Sequence, residues 1–133
     1  MLPFEFVIDG PPVSQQTRRR ERLRTWINEV QNEAKQHWSL DALPITGLIL
    51  VKITYFYEDI SIDVDNISKP ILDALKGVVF VDDDQVTDLL CQKRHLDATF
   101  RLENVSVVLT DRLSKENEFL HIVVQDAPNQ EVL

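Results

Sequence analysis

The stretch Asp63–Val86, DVDNISKPILDALKGVVFVDDDQV, sets two acidic clusters and a lysine around one amphipathic helical segment. Asp63 and Asp65 stand two residues apart at the end of an extended run, where a period of two predicts both side chains on the same side. Two carboxylates so placed repel, and a bound cation relieves that repulsion. The helix is expected to begin within Asn66–Lys69 and to end at Lys76, with Gly77 as its breaker. Pro70 fits a first turn, which favours a start near Ser68 or Lys69. Asp82, Asp83 and Asp84 follow, and a helix that folds back along the preceding strand returns them to Asp63 and Asp65. Oxygen donors without a histidine or cysteine suit Mg²⁺ or Mn²⁺ better than zinc.

A plainer reading accounts for the same letters. An aspartate run at a turn is an ordinary solvated loop, and Asp or Asn ahead of a helix is an ordinary N-cap. On spacing alone both readings stand. Lys69 lies four residues after Asp65 and four before Asp73, so it is either a helix-surface ion-pair partner or a cation poised beside phosphate. Asp73 is expected to pair with Lys69 or Lys76. A calcium loop of the EF-hand type fails, because Ile67, Ser68 and Ala74 stand where its ligand, glycine and bidentate acid belong. No Gly-rich phosphate loop, nucleophile elbow or Cys-His pair is present. His37, His95 and His121 are scattered and read as structural or exposed.

Outward from this block, residues 3–9 read as a first strand stopped by Gly10-Pro11-Pro12. Leu23, Trp26, Ile27, Val30, Ala34 and Trp38 fall at helical spacing, predicting a helix from about Arg18 to Trp38. Arg18, Arg19, Arg20, Arg22 and Arg24 crowd its positive end, either as a solvated start or as a phosphate-binding cluster. Residues 45–57 form the clearest strand, with Ile49, Val51, Ile53, Tyr55 and Tyr57 on one face. Further strands are expected at 86–94, 104–110 and 119–124, the last of them optional. The order β-α-β-α-β-β predicts an α+β fold, a mixed β-sheet with two main helices packed on one face. Residues 1–125 read as one domain and 126–133 as a mobile polar tail.

The 133 residues carry a net charge of −8, which argues against non-specific coating of DNA. The charge is unevenly spread. Residues 16–39 hold six basic and three acidic side chains, whereas 61–85 hold two basic and six acidic. A basic face beside an acidic pocket suits nucleic acid once cations neutralise the acids. Cys91 is the lone cysteine, which excludes an intrachain disulfide and points to a cytoplasmic setting. The N-terminus lacks the basic leader of a signal peptide, and no apolar run reaches the roughly 18 residues of a membrane span.

Taken together, the block resembles the RusA family of Holliday-junction resolvases. The matching letters are Asp63-Val64-Asp65-Asn66, Lys69, Asp73-Ala74-Leu75 and Asp82-Asp83-Asp84-Gln85-Val86, with Lys93 in the next strand and Pro11-Pro12 after the first. The resemblance implies that Asp63, Asp65 and Asp83 are metal-binding catalytic acids, with Lys69 an essential base-type side chain and Asp73 structural. Asp82 and Asp84 are weaker candidates. It implies a homodimeric endonuclease using Mg²⁺ or Mn²⁺ that nicks branched DNA, four-way junctions above all. In that reading Arg18, Arg19, Arg20, Arg22, Arg24, Lys93 and Arg94 hold flanking phosphates. Val13-Ser14-Gln15-Gln16 departs from the asparagine-containing loop of the family, and the likeness fades after about Asp111. An alternative is a catalytically weak or inactive relative that binds nucleic acid or a protein, and a third is a metal-binding structural domain without nuclease activity.

Overall fold

Val51 of the second strand has an apolar neighbour on each side, Leu89 across a parallel ladder and Val124 across an antiparallel one. That double pairing makes the sheet mixed. The computed structural model describes residues 2–59 and 62–133; Ser61, the first residue of the acidic window counted above, lies outside them. The elements run β1 (Phe4–Asp9), α1 (Arg20–His37), β2 (Ile49–Tyr57), α2 (Val64–Leu75), β3 (Val86–His95), α3 (Val107–Leu113) and β4 (Phe119–Asp126). A 3₁₀ turn at Asp83–Gln85 precedes β3. Strand order is β1-β4-β2-β3, with β4 antiparallel to both neighbours and β2 parallel to β3. The fold is α+β, as expected. No helix of the described residues is long and apolar enough to cross a membrane.

One face of the sheet carries α1 and α2. The α1 stripe of Leu23, Trp26, Val30, Ala34 and Trp38 is buried, as are Ile67, Ile71, Ala74 and Leu75 of α2. All of these but Leu23 form one cluster with Phe4, Phe6, Ile49, Val51, Ile53, Tyr55, Ile122 and Val124 from the sheet. Alternation along the strands puts every one of those sheet residues on the same side. Gln31 of α1 donates to the carbonyl of Ala74 at 3.3 Å and ties the two helices together. Beyond α2, Gly77 adopts φ of 84°, a left-handed conformation that side chains with a Cβ avoid, so the helix ends where expected.

The opposite face holds a smaller cluster. Phe56 stacks on Phe119 at 4.5 Å and meets Phe100 edge-on. Arg112 of α3 is buried, with its guanidinium 4.4 Å from the Phe119 ring. It donates to Asp9 Oδ1 at 2.7 Å and to the carbonyls of Asn117 and Glu118. Glu5 accepts from Ser106 Oγ and pairs with the buried His121 at 2.6 Å. His121 is therefore structural; His37 pairs with Glu33, and His95 packs edge-on against Tyr57.

Three expectations need correction. Residues 104–110 were expected as a strand, but Val107–Leu113 is a helix. Ser106 caps it, accepting from the Leu109 amide at 3.2 Å, and buried Arg112 anchors it, so capping and tertiary contact outweigh the β-branched residues. The start of α2 is Val64, not Ser68 or Lys69, which leaves Pro70 inside the helix. The carbonyl of Asn66, deprived of an intrahelical donor by Pro70, accepts from the Gln15 amide at 3.0 Å instead. Finally, the strand at 119–124 is not an optional extra but lies between β1 and β2. It runs to Asp126, and Ala127 donates on to Leu48 O.

Ile71→Ala removes a fully buried side chain from the interface of α2 with the sheet. It is expected to lower unfolding free energy by about 2–5 kcal/mol. Urea titration checks this as a fall in midpoint at unchanged slope. Burial pushes the Cys91 thiol up to about 11. Because the thiolate is the nucleophile, alkylation near neutral pH is expected to be slower than for a free cysteine and to rise with pH toward that value.

Candidate active site

Both acidic clusters are placed by α2 and the turn that follows it. Asp63 is the N-cap, extended at φ −60° and ψ 137°, and its side chain caps no amide. Asp65 sits in the first helical turn, so the pair spans a strand-to-helix corner and the period-2 geometry expected of them does not apply. Both carboxylates are exposed and lie at the positive end of the helix dipole, which offsets part of their mutual repulsion.

One turn onward, the ammonium of Lys69 donates to Asp73 Oδ1 at 2.6 Å and, more loosely, to Asp83 Oδ2 at 3.5 Å. The hydrogen bond to Asp73 raises the lysine pKa above its ordinary value, with the charges of Asp73 and Asp83 adding to it against partial desolvation. Lys69 is therefore an ammonium at neutral pH. It is suited to stabilising negative charge and not to taking up a proton. The expected pairing of Asp73 with Lys69 is present.

The three consecutive aspartates are not equivalent. Asp82 pairs with Lys76 at 3.0 Å and accepts from the Asp84 amide, and these bonds lower its pKa. It is committed to holding the turn. Asp84 is exposed. Asp83 alone faces Lys69, and its Oδ1 is shielded from solvent without a hydrogen-bond partner. An oxygen in that position is an open acceptor for a hard cation. The donor set thus suits Mg²⁺ or Mn²⁺ in chemistry. Among the described residues, however, no three acids, histidines or cysteines are already gathered to hold a metal ion.

Gln85 has a role that the motif letters alone did not disclose. It is buried, and its Oε1 accepts from the amides of Val81 and Asp82 at 2.8 Å each. Its Nε2 donates to the carbonyls of Ile45 and Gly47 at 2.7 and 2.8 Å. The side chain thereby clamps the acidic turn to the loop before β2. The available signal was the Asp-x-x-Gln spacing of Asp82 and Gln85, a capping box in which each residue satisfies the other's amide.

The basic residues divide. Arg18, Arg19, Arg22 and Arg24 are exposed around the start of α1. Arg20, also exposed, turns back to the carbonyls of Gln15 and Thr17. The Gln15–Asn66 bond fixes this loop beside the first turn of α2, so the basic and acidic segments are neighbours. A cleft of about 400 Å³ between them is lined by Pro11, Pro12, Val13, Ser14, Arg22 and Ile62 among others. Lys93 pairs in register with Tyr55 on the helix-bearing side of the sheet and lies 5.9 Å from the Tyr57 ring. Arg94, in register with Phe56, points to the other face.

The sequence model of the family described as Endodeoxyribonuclease RusA matches residues 10–103, the larger part of the chain. The match takes in both acidic clusters, Lys69 and Gln85, and stops short of α3 and β4. No curated protein matches.

Gln85→Ala strands two amides and two carbonyls, each costing about 1–3 kcal/mol if left buried and unpaired. The expected result is a loss of at least about 2 kcal/mol in urea unfolding. Faster amide exchange at Val81 and Asp82 in the folded protein, read by hydrogen exchange, would accompany it.

Proposed function

We propose, from the premise that the chain belongs to the RusA endodeoxyribonuclease family, that it is a divalent-metal-dependent endonuclease resolving four-way DNA junctions by paired nicks. The observation that carries this reading is Lys69 bridging Asp73 and Asp83 one turn beyond Asp63 and Asp65. A protonated lysine held by carboxylates, beside an acceptor left unpartnered, is an arrangement that serves phosphoryl chemistry and does little for packing.

Asp63, Asp65 and Asp83 are the residues that would hold Mg²⁺ or Mn²⁺, which when bound supplies a Lewis acid and an activated water. Lys69 neutralises charge developing on the attacked phosphate, and Asp73 keeps it oriented. Gln85 fixes the turn that presents Asp83. Arg18, Arg19, Arg20, Arg22, Arg24 and Lys93 hold flanking phosphates, which positions the backbone without reading sequence. Arg94, on the far face, has no part in that set. A four-way junction is close to two-fold symmetric, so a homodimer with one site per subunit matches its two nicks. The reading also keeps residues 1–125 as one catalytic domain acting in a cytoplasmic setting.

The net charge of −8 and the ungathered acids favour a second reading, a catalytically weak or inactive relative that binds nucleic acid or a protein. Purified protein incubated with a labelled four-way junction in Mg²⁺, in Mn²⁺ and in chelator separates the two. Symmetric metal-dependent nicks are expected, with Asp83→Asn, Asp63→Asn and Lys69→Met each reducing the rate by about 100-fold or more. Affinity is expected to fall steeply with added salt. Binding without cleavage in either metal establishes the second reading.

A further inference from the structure

The sheet face away from α1 and α2 carries α3 and the segment leading into it. There Phe56, Phe100 and Phe119 pack together beside Arg112 of α3. A cleft of about 360 Å³ opens next to this cluster, within the roughly 300–1,000 Å³ of small-ligand sites. Its lining includes Lys52, Thr54 and Phe56 of β2, Gln92 and Arg94 of β3, and Phe100. None of these belongs to the acidic site or to the arginines at the start of α1.

The charges inside the cleft do not balance. Besides His121, its charged side chains are Glu5, Lys52, Arg94, Arg101 and Glu103. Glu5 is taken up by His121 and Ser106, and Glu103 by Arg101 at 2.9 Å. Lys52 and Arg94 are left over. Lys52 is half-buried and has neither a hydrogen bond nor an ion pair among the described residues. Arg94 donates to Gln92 Oε1 at 3.1 Å and to the Lys93 carbonyl at 2.8 Å, both neutral acceptors. Those bonds occupy two of the five N–H donors of the guanidinium. Gln92, itself donating to Thr54 Oγ1 at 2.9 Å, draws the guanidinium back along β3 toward the Lys52 end. Two cations facing one cleft, with no free carboxylate to answer them, attract an anion even in a chain of net charge −8.

We propose that this cleft binds the phosphomonoester of a nucleotide, with the phosphate between Lys52 and Arg94 and the base against Phe100. A phosphate accepts from an ammonium and from a guanidinium fork at once. Phe56 lies four residues beyond Lys52 on β2, about 13 Å along the strand, which is room for one nucleotide laid lengthwise. Phe100 meets Phe56 edge-on at 5.7 Å, and its half-buried ring offers a π-face on which any base stacks. A free nucleotide and the phosphorylated end of a DNA strand present the same chemistry to these residues. The cleft lies across the sheet from the helices that present Asp63, Asp65 and Asp83, so the proposal stands apart from the resolvase reading.

Amide chemical shifts of the full chain, titrated with thymidine monophosphate, test the site. Chelator in the buffer keeps the phosphate from bridging a metal held at the acidic site. Shifts are expected at Lys52, Thr54, Gln92 and Arg94, and thymidine, which lacks the phosphate, is expected to bind at least about tenfold more weakly. Lys52→Ala and Arg94→Ala are each expected to weaken nucleotide binding by about tenfold or more, in proteins whose remaining spectrum shows them folded. Phe100→Leu keeps the apolar cluster filled and is expected to weaken thymidine monophosphate while leaving inorganic phosphate unchanged. The proposal is overturned by shifts confined to the start of α1, or by none at millimolar nucleotide. Thymidine binding as tightly as its phosphate, or any of the three variants binding thymidine monophosphate like the parent, overturns it too. A 5′-phosphorylated tetranucleotide separates the two sources. Tighter binding than the monophosphate assigns the cleft to strand ends and weaker binding to free nucleotides, and either result upholds the phosphate pocket.

Discussion

A proline in a helix interior leaves one carbonyl without a donor, and in α2 that carbonyl belongs to Asn66. The amide that fills the gap comes from Gln15, in the loop that leads into α1. This bond joins the most basic segment of the chain to the first turn of the most acidic one. Packing of Trp26, Val30 and Ala34 into the core shared with α2 holds the same two segments in line, but packing alone is non-directional. The hydrogen bond gives the contact a fixed partner. An unsatisfied carbonyl in this position would cost about 1–3 kcal/mol, enough to disfavour competing arrangements of the loop.

Around that junction the charges are graded by how firmly they are engaged. Asp82 is committed to Lys76 and to the turn, and Asp73 to Lys69. Asp83 shares Lys69 loosely and keeps one oxygen unpartnered. Asp63 and Asp65 stand exposed at the corner. Structural acids thus hold their cations closely, whereas the three acids assigned to the site hold theirs weakly or not at all. A ligand carboxylate must be able to exchange partners, so loose engagement is consistent with that role.

Much of this was legible in the sequence, and the misses have physical causes. The stripe of α1 and the alternation of β2 follow from periodicities of 3.6 and 2, whereas the expected return of Asp82–Asp84 to Asp63 and Asp65 brings Asp83 to Lys69 and gathers no three acids among the described residues. The start of α2 was misplaced because Pro70 reads as a first-turn residue, and it is tolerable inside because the freed Asn66 carbonyl finds a partner in Gln15, 51 positions before Asn66. The strand expected at 104–110 followed the β-branched letters of VSVVL, but Ser106 and Arg112 decide the matter through contacts with Leu109, Glu5 and Asp9. Gln85 looked like one more polar letter. Two of its four hydrogen bonds reach Ile45 and Gly47, and no spacing rule connects residues that far apart.

The placement of β4 has a kinetic consequence. The strand formed last in the sequence lies between the first and the second, so β1 pairs with nothing until Phe119–Asp126 is available. Phe4 must find Val124 across nearly the whole length of the chain. A ribosome-bound intermediate ending before Phe119 can join β2 to β3 and dock α2, but it leaves the apolar side of β1 and one ladder of β2 open to water. Loop-closure entropy sets the pace of that final step, which makes the ordering of the sheet slow for a protein of this size. The same delay leaves unpaired strand edges exposed for longest during synthesis, when other nascent chains are nearest.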